Sequence, residues 1–271
     1  MIGVEIRKLV RRPRTWVSVA LLCLLPTVVA AFLALSRIAP RPGEGPAFLS
    51  AVLANGQLYP AAALGIVLPI FLPVSVAVVA GDSIAGEAST GTLRYLLARA
   101  VGRTRLLVAK LVAVVVYTLL AVVAVAVTGY VVGVQFFGTG TLSYATTTVS
   151  GTPLTTAELL QRTVLMVLYI GWSMLGVAAV SLFLSTLTDS SLGAALGGLA
   201  VLVGSTVLVT LDAASSVRDW LPTRYWLAWV DLFRDPILWH DLQRGVAVQG
   251  VYIVVLLGAA WANFATRDVT S

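Results

Sequence analysis

The sequence predicts an all-α integral membrane protein: six transmembrane helices preceded by an N-terminal amphipathic helix at the membrane surface. Three observations carry this. Hydrophobic residues make up 59% of the chain and Asp, Glu, Lys and Arg only 11%, whereas soluble domains carry about a quarter charged residues. The apolar residues fall into six runs, each long enough to cross a hydrocarbon core, which takes roughly 20 residues. The excess of basic residues lies on one side of those runs. No water-soluble fold of this size hides so much apolar surface, so residues 1–271 read as one transmembrane domain.

At the start, Ile2, Ile6, Leu9, Val10 and Pro13 recur at helical spacing, with Arg7, Lys8, Arg11, Arg12 and Arg14 between them. That is the pattern of a basic amphipathic helix over residues 1–16, lying on anionic lipid. The same stretch also reads as a leader n-region, with Arg11-Arg12 as a twin-arginine signal. Against that, the run that follows exceeds a usual h-region, lacks a clean small-x-small cleavage site and precedes five more spans.

The spans are expected at Val17–Ser36, Ala61–Ala80, Leu111–Phe137, Val164–Leu187, Leu192–Leu211 and Val246–Ala265. The third, at 27 residues, would be about 40 Å long and must tilt or project. Only Thr188 to Ser191 separates the fourth from the fifth, which forces them to be antiparallel neighbours.

Orientation follows from the flanking charges. With a cytoplasmic N-terminus, the inside segments hold Arg7, Lys8, Arg11, Arg12, Arg14, Arg94, Arg99, Arg103, Arg105, Lys110 and Arg267, eleven of the 18 basic residues. The other seven, Arg37, Arg41, Arg162, Arg218, Arg224, Arg234 and Arg244, lie outside and are matched by Glu44, Glu158, Asp212, Asp219, Asp231, Asp235 and Asp241. The net +6 is thus all cytoplasmic, as the positive-inside rule requires, and both termini are expected inside.

Several features within this frame admit two readings. Pro69 and Pro73, one turn apart in the second span, each remove a backbone donor and act as a hinge or as a static kink. Gly129 and Gly133, and Gly193 and Gly197, have the GxxxG spacing that lets helices approach closely, within this chain or between two copies. Between the fifth and sixth spans, residues 212–245 place Trp220, Trp226, Trp229 and Trp239 among balanced charges. Short helices half buried in the outer interface fit that composition, serving as an aromatic belt or as a substrate contact.

Covalent chemistry is not legible. Cys23, the single cysteine, sits in the first apolar run, and His240 is the only histidine, so paired-histidine zinc motifs and thiolate metal sites are excluded. No GxxxxGK[ST] phosphate loop occurs, and Lys110 has no glycine cradle before it. The span interiors hold almost no carboxylates, which counts against a proton-driven carrier.

The informative segment is GDSIAGEASTGTLRYLLARAVGRTRLLVAKL, Gly81 to Leu111. Leu93, Leu96 and Leu97 form a one-sided apolar stripe between Gly91 and Gly102, with Arg94, Arg99, Arg103 and Arg105 over the remainder. A short amphipathic helix across the cytoplasmic face fits, as does a basic loop held on anionic lipid. Gly91 permits a sharp change of direction and Thr92 would cap the helix after it. Glu87, near the membrane end of the second span, is expected to pair with a nearby arginine or to accept a backbone donor.

At these residues the chain resembles the ABC-2 type permeases, the membrane subunits of a class of ABC exporters. Members carry, after the second span, a Glu, Gly-Thr, a leucine pair, Pro, Arg and Lys. Glu87, Gly91-Thr92, Leu96-Leu97, Arg103 and Lys110 occupy those places here, with Ala100 where proline is usual. The resemblance runs end to end, through EIRKLVRRPRTW, the six spans, LPTRYWLAWVDLF and the closing AWANFATRDV with Phe264, Arg267 and Asp268.

It implies a type V exporter-like fold, and two such subunits (two copies, or one with a similar chain), each docked on a cytoplasmic ABC ATPase that binds ATP and Mg. The chain itself would then hold no cofactor and would not be an enzyme. Residues 81–110 would be the coupling element, through Glu87, Gly91, Thr92, Arg94, Leu96, Leu97, Arg103 and Lys110. Residues 1–16 would be the elbow helix, and residues 212–245 an extracellular or re-entrant segment closing the exit. The expected cargo is a hydrophobic or amphipathic compound, drug or lipid-like, leaving across the cell inner or plasma membrane. An ABC permease for ions, cofactors or peptides, a secondary transporter and a channel are the alternatives. No nucleic-acid partner is expected, and no residue is assigned to cargo.

Overall fold

A computed structural model describes residues 1–36, 55–91, 102–139, 146–147 and 153–266. Helix α1, Ile2–Arg11, gives way at once to α2, Pro13–Ser36. Proline has no N–H to continue a helix and pushes its predecessor into extended backbone, and Arg12 sits at φ −76°, ψ 121°. The surface helix therefore ends at Arg11, and the first span starts at Pro13 instead of Val17. The face that α1 buries is Glu5 and Leu9, while Ile2 and Val10 stay exposed. Of the apolar stripe expected from spacing, Leu9 is thus turned into the bundle and Ile2 and Val10 are left on the outside.

The second span is not one helix. A 3₁₀ turn at Gly56–Leu58 leads into α3, Tyr59–Val67, and the chain breaks at residues 68–70 before α4, Phe71–Ser89. Pro69 lies in the break, where its ring would collide with the carbonyl four residues back. Pro73 falls in the first turn of α4, where a missing N–H costs nothing. The path nevertheless keeps one direction, antiparallel to α5, Arg103–Phe137: Gly56 and Tyr59 pack on Gly133, Ser75 bonds Tyr117, and Glu87 pairs with Lys110.

Three long helices follow. α6, Thr156–Leu187, opens with a capping box in which Thr155 and Glu158 satisfy each other's backbone donors. α7, Ser191–Thr210, starts from Ser190, whose hydroxyl accepts from the Gly193 N–H. α8 is Trp239–Thr266. A two-residue antiparallel ladder, β1 (Thr146–Thr147) with β2 (Pro153–Leu154), precedes α6. Among the described residues, α2, α4, α5, α6, α7 and α8 are the six helices long and apolar enough to cross a membrane, so the fold is that of an all-α, multi-pass membrane protein. α5 extends over 35 residues, about 52 Å, and so outruns a bilayer core.

α6 is the most buried span and packs against α4, α5, α7 and α8. Small residues let the others close in. Gly129 and Gly133 of α5 lie against Pro60, Ala63, Gly56 and Tyr59, and Gly197 of α7 meets Leu184 of α6. Gly193 faces only its own cap at Ser190 and Thr188. Both glycine pairs thus have neighbours within the chain. Because the chain crosses the bundle an even number of times, its start and the last turn of α8 lie at one end, where Met1 packs on the apolar cluster that holds Phe264 and Arg103 of α5 bonds the Phe264 and Ala265 carbonyls.

The opposite end is covered by residues 211–238, built of 3₁₀ turns at Asp212–Ala214, Arg218–Trp220 and Ala228–Phe233. Its tryptophans do not form a uniform half-buried belt. Trp226 and Trp229 are core residues, with Trp229 edge-on to Phe233, while Trp220 and Trp239 are exposed.

Candidate functional site

Two clusters of polar groups tie the bundle together, one at each end. At the α1 end, Glu5, Lys8, Glu87 and Lys110 form a neutral tetrad. Lys110 Nζ lies 2.8 Å from Glu5 and 2.5 Å from Glu87, and Lys8 Nζ lies 3.0 and 3.2 Å from the same two carboxylates. Glu5, Glu87 and Lys110 are each below 8% exposed, so none of these charges is left to water. α1 delivers Glu5 and Lys8 one turn apart, α4 delivers Glu87 two residues before its end, and α5 delivers Lys110 two turns after its start. Among the partners of Glu87 within the described residues are two lysines, Lys8 and Lys110, which the sequence reading does not name for it.

Around the tetrad, Asp82 takes Arg12 at 3.3 Å and Arg14 at 3.2 Å, which fixes the α1–α2 corner to α4. Ser185 of α6 accepts from the Ile84 and Ala85 N–H groups and donates to the Gly81 carbonyl, so it bonds α4 through its backbone. Trp261 of α8 donates to Thr104, and Asn263 donates to the Thr186 carbonyl. Arg103, one of the expected coupling residues, caps the carbonyls that end α8.

Gly91 follows α4 at φ +70° with open space beside it, a backbone conformation in which side chains are strained. Thr92, Arg94, Leu96 and Leu97 lie outside the described residues, as do Arg99 and Arg267. The residues flanking that interval are anchored to different partners, Glu87 to α1 and α5, and Arg103 to α8. Sequence spacing could not reveal Glu5 and Lys8 as members of this site, because they approach Glu87 only when α1 folds back. Their one local signal is a carboxylate and an ammonium three residues apart on the first helix.

The tetrad sets a pH window. Burial alone would raise the Glu5 carboxyl, but the hydrogen bonds and charges of Lys110 and Lys8 outweigh it and hold Glu5 below its ordinary 4.5. Burial alone would lower Lys8, but Glu5 and Glu87 outweigh it and hold Lys8 above its ordinary 10.5. A depressed carboxyl stabilises above its unfolded value and loses that contribution as pH falls through the folded one. A raised ammonium stabilises below its unfolded value and loses it as pH rises through the folded one. α1 is therefore expected to stay docked between these limits and to loosen in stronger acid or base. A spin label on Gly3→Cys, in a Cys23→Ser background, should sharpen as acid titrates Glu5 below its ordinary 4.5; mobility that acid leaves unchanged through full protonation of the carboxylates would refute the docking role of Glu5.

At the far end, Gln249 of α8 is buried against Gly176 and donates to the Pro222 carbonyl at 2.6 Å, Tyr169 donates to the Tyr225 carbonyl at 2.7 Å, and Ser205 bonds Thr223. Gln249 lies nearly three turns into α8, so residues 222–225 are drawn down between α6, α7 and α8. A cleft of about 480 Å³ remains there, lined by Trp220, Tyr225, Ala247, Val248 and Val251 under the Asp219–Arg244 pair. Among the described residues, no three His, Cys, Asp or Glu side chains gather where a metal ion could be held.

Residues 38–270 match the family described as "Protein of unknown function (DUF2705)", and the chain belongs to that family. No curated protein matches it.

Proposed function

We propose that this DUF2705 chain is the membrane-spanning subunit of an exporter driven by a separate cytoplasmic ATPase. The loop between α4 and α5 would be the coupling element and the 211–238 segment the cover of the exit. One observation carries this reading: the residues flanking the loop are clamped to different parts of the bundle, Glu87 to α1 and α5 and Arg103 to the end of α8. A push on the loop would reach α1 through the tetrad. It would also reach α8, whose Gln249 holds the far-end segment through Pro222. Because transport through such a path needs a stiff connection, buried ion pairs and a capped helix end suit it better than a solvated loop. The charge distribution supports cytoplasmic termini. The apolar cleft under Asp219 and Arg244 suits a hydrophobic or amphipathic cargo, and a second copy or similar chain would complete the pathway.

The test is isolation of the tagged chain from its own membranes. A P-loop ATPase is expected to copurify, and Gly91→Val should leave chain abundance and ATPase capture unchanged while hydrolysis loses its response to cargo. The left-handed backbone at Gly91 resists a β-branched residue by about 1–2 kcal/mol, enough to redirect the loop without unfolding the bundle. Purification without any ATPase, or transport by Gly91→Val at the wild-type rate, would sink the reading.

A further inference from the structure

We propose that the groove at the α1–α2 corner is a binding site for the headgroup of an anionic phospholipid, with Arg7 and Arg11 as its phosphate ligands. The groove has a volume of about 400 Å³ and is lined by Val4, Arg7, Lys8, Arg11, Arg12 and Pro13. Among the described residues that line it there is no carboxylate. Arg7 and Arg11 are four residues apart on one exposed face of α1, and neither makes an ion pair or hydrogen bond with any described residue. Their basic neighbours differ: Lys8 is held by Glu5 and Glu87, and Arg12 and Arg14 share Asp82.

The opposite face of α1 is locked, because Glu5 and Leu9 are buried. The helix therefore cannot roll to hand the two arginines to protein carboxylates, and it presents two guanidinium forks with their donors unused. Such forks match phosphate oxygens in shape and charge.

The groove's position selects a lipid over a soluble anion. Val4, Val10 and Val17 are exposed around it. The half-exposed Trp16, whose indole donates to the Val10 carbonyl at 2.7 Å, marks the headgroup level of a bilayer at the start of α2. A bound phospholipid would place its phosphate between Arg7 and Arg11 and its acyl chains along α2. A zwitterionic lipid would bring its own cation against five clustered basic residues, so an anionic headgroup is the better fit.

The experiment is native mass spectrometry of the purified full-length chain after exchange into mixed phosphatidylglycerol and phosphatidylcholine. Phosphatidylglycerol should be retained preferentially. Arg7→Gln with Arg11→Gln should cut that retention at least fivefold, since each basic residue near an anionic surface contributes about a factor of five. The melting temperature should be unchanged because neither residue touches the tetrad, and Arg7→Lys with Arg11→Lys should recover part of the retention. Equal retention by wild type and the double glutamine variant would overturn the site. So would a melting temperature lowered to that of Lys110→Met, since lipid loss would then follow from undocking of α1. Displacement of the lipid by millimolar inorganic phosphate would overturn the lipid assignment in favour of a free-anion site.

Discussion

Replacing Lys110 with methionine is expected to destabilise the protein by about 3–5 kcal/mol, the usual cost of removing one partner from a buried ion pair. Lys110 touches both Glu5 and Glu87 from a buried position, and Lys8, which also touches both, is partly in solvent. Without Lys110, two buried carboxylates lose their buried counter-charge and face the half-exposed Lys8, and the cheapest relief is for α1 to leave its site. Denaturant unfolding in detergent measures the loss, and label mobility at Gly3 reports whether α1 has left. Adding Glu87→Leu to Lys110→Met restores charge balance, with Glu5 facing Lys8, and should return part of the stability. A loss under 1 kcal/mol in the single variant, or a double variant worse than the single, would show that the tetrad does not hold α1.

The second large effect is expected at Gly133. A Cβ there would lie 2.2 Å from the Gly56 carbonyl oxygen and 2.4 Å from Tyr59 Cβ, so α3 would have to move as a body, because no rotamer change relieves a contact with backbone. Gly133→Leu should cost about 3 kcal/mol, the upper part of the range for overpacking. Gly197→Leu should cost less, since its Cβ meets only the flexible end of Leu184 at 3.1 Å. Gly204→Leu should be close to neutral, with nothing within 4 Å. Unfolding of the three variants in one detergent tests the order, and equal losses at 133 and 204 would contradict the packing of α3 on α5.

These contrasts show why glycine spacing alone leaves the partner open. Gly129-Gly133 and Gly193-Gly197 read alike in sequence, yet one pair receives a helix backbone, and the other contributes one residue to a side-chain contact and one to a local cap. In the same way Arg103 and Lys110 are both basic residues flanking one loop. Position along α5 makes the first a cap for α8 and the second the centre of an ion tetrad. Span ends were legible only to within a turn or two. Hydropathy marks the stretch that suits lipid, while the helix runs on through polar residues, as α6 does from Thr156 under its capping box and α5 from Arg103.

The sequence by itself determined the class of the molecule. Long apolar runs with few charges have no other stable solvent than lipid, and a backbone in lipid must satisfy its polar groups within each segment, which leaves helices for runs of this length. It also marked residues 212–245 as different from the other connections, but it did not place the end of α1, whose amphipathic pattern runs through Pro13 to residue 16 while the helix stops at Arg11. The tertiary structure decided everything that depends on non-local partners. It buried Trp226 and Trp229 and drew Pro222 down to Gln249. Above all, it brought Glu5 and Lys8 to Glu87 and Lys110 across about eighty to a hundred residues of chain. A buried charge is tolerated only beside its counter-charge, and which counter-charge is near is a property of how helices pack, not of any spacing along one of them.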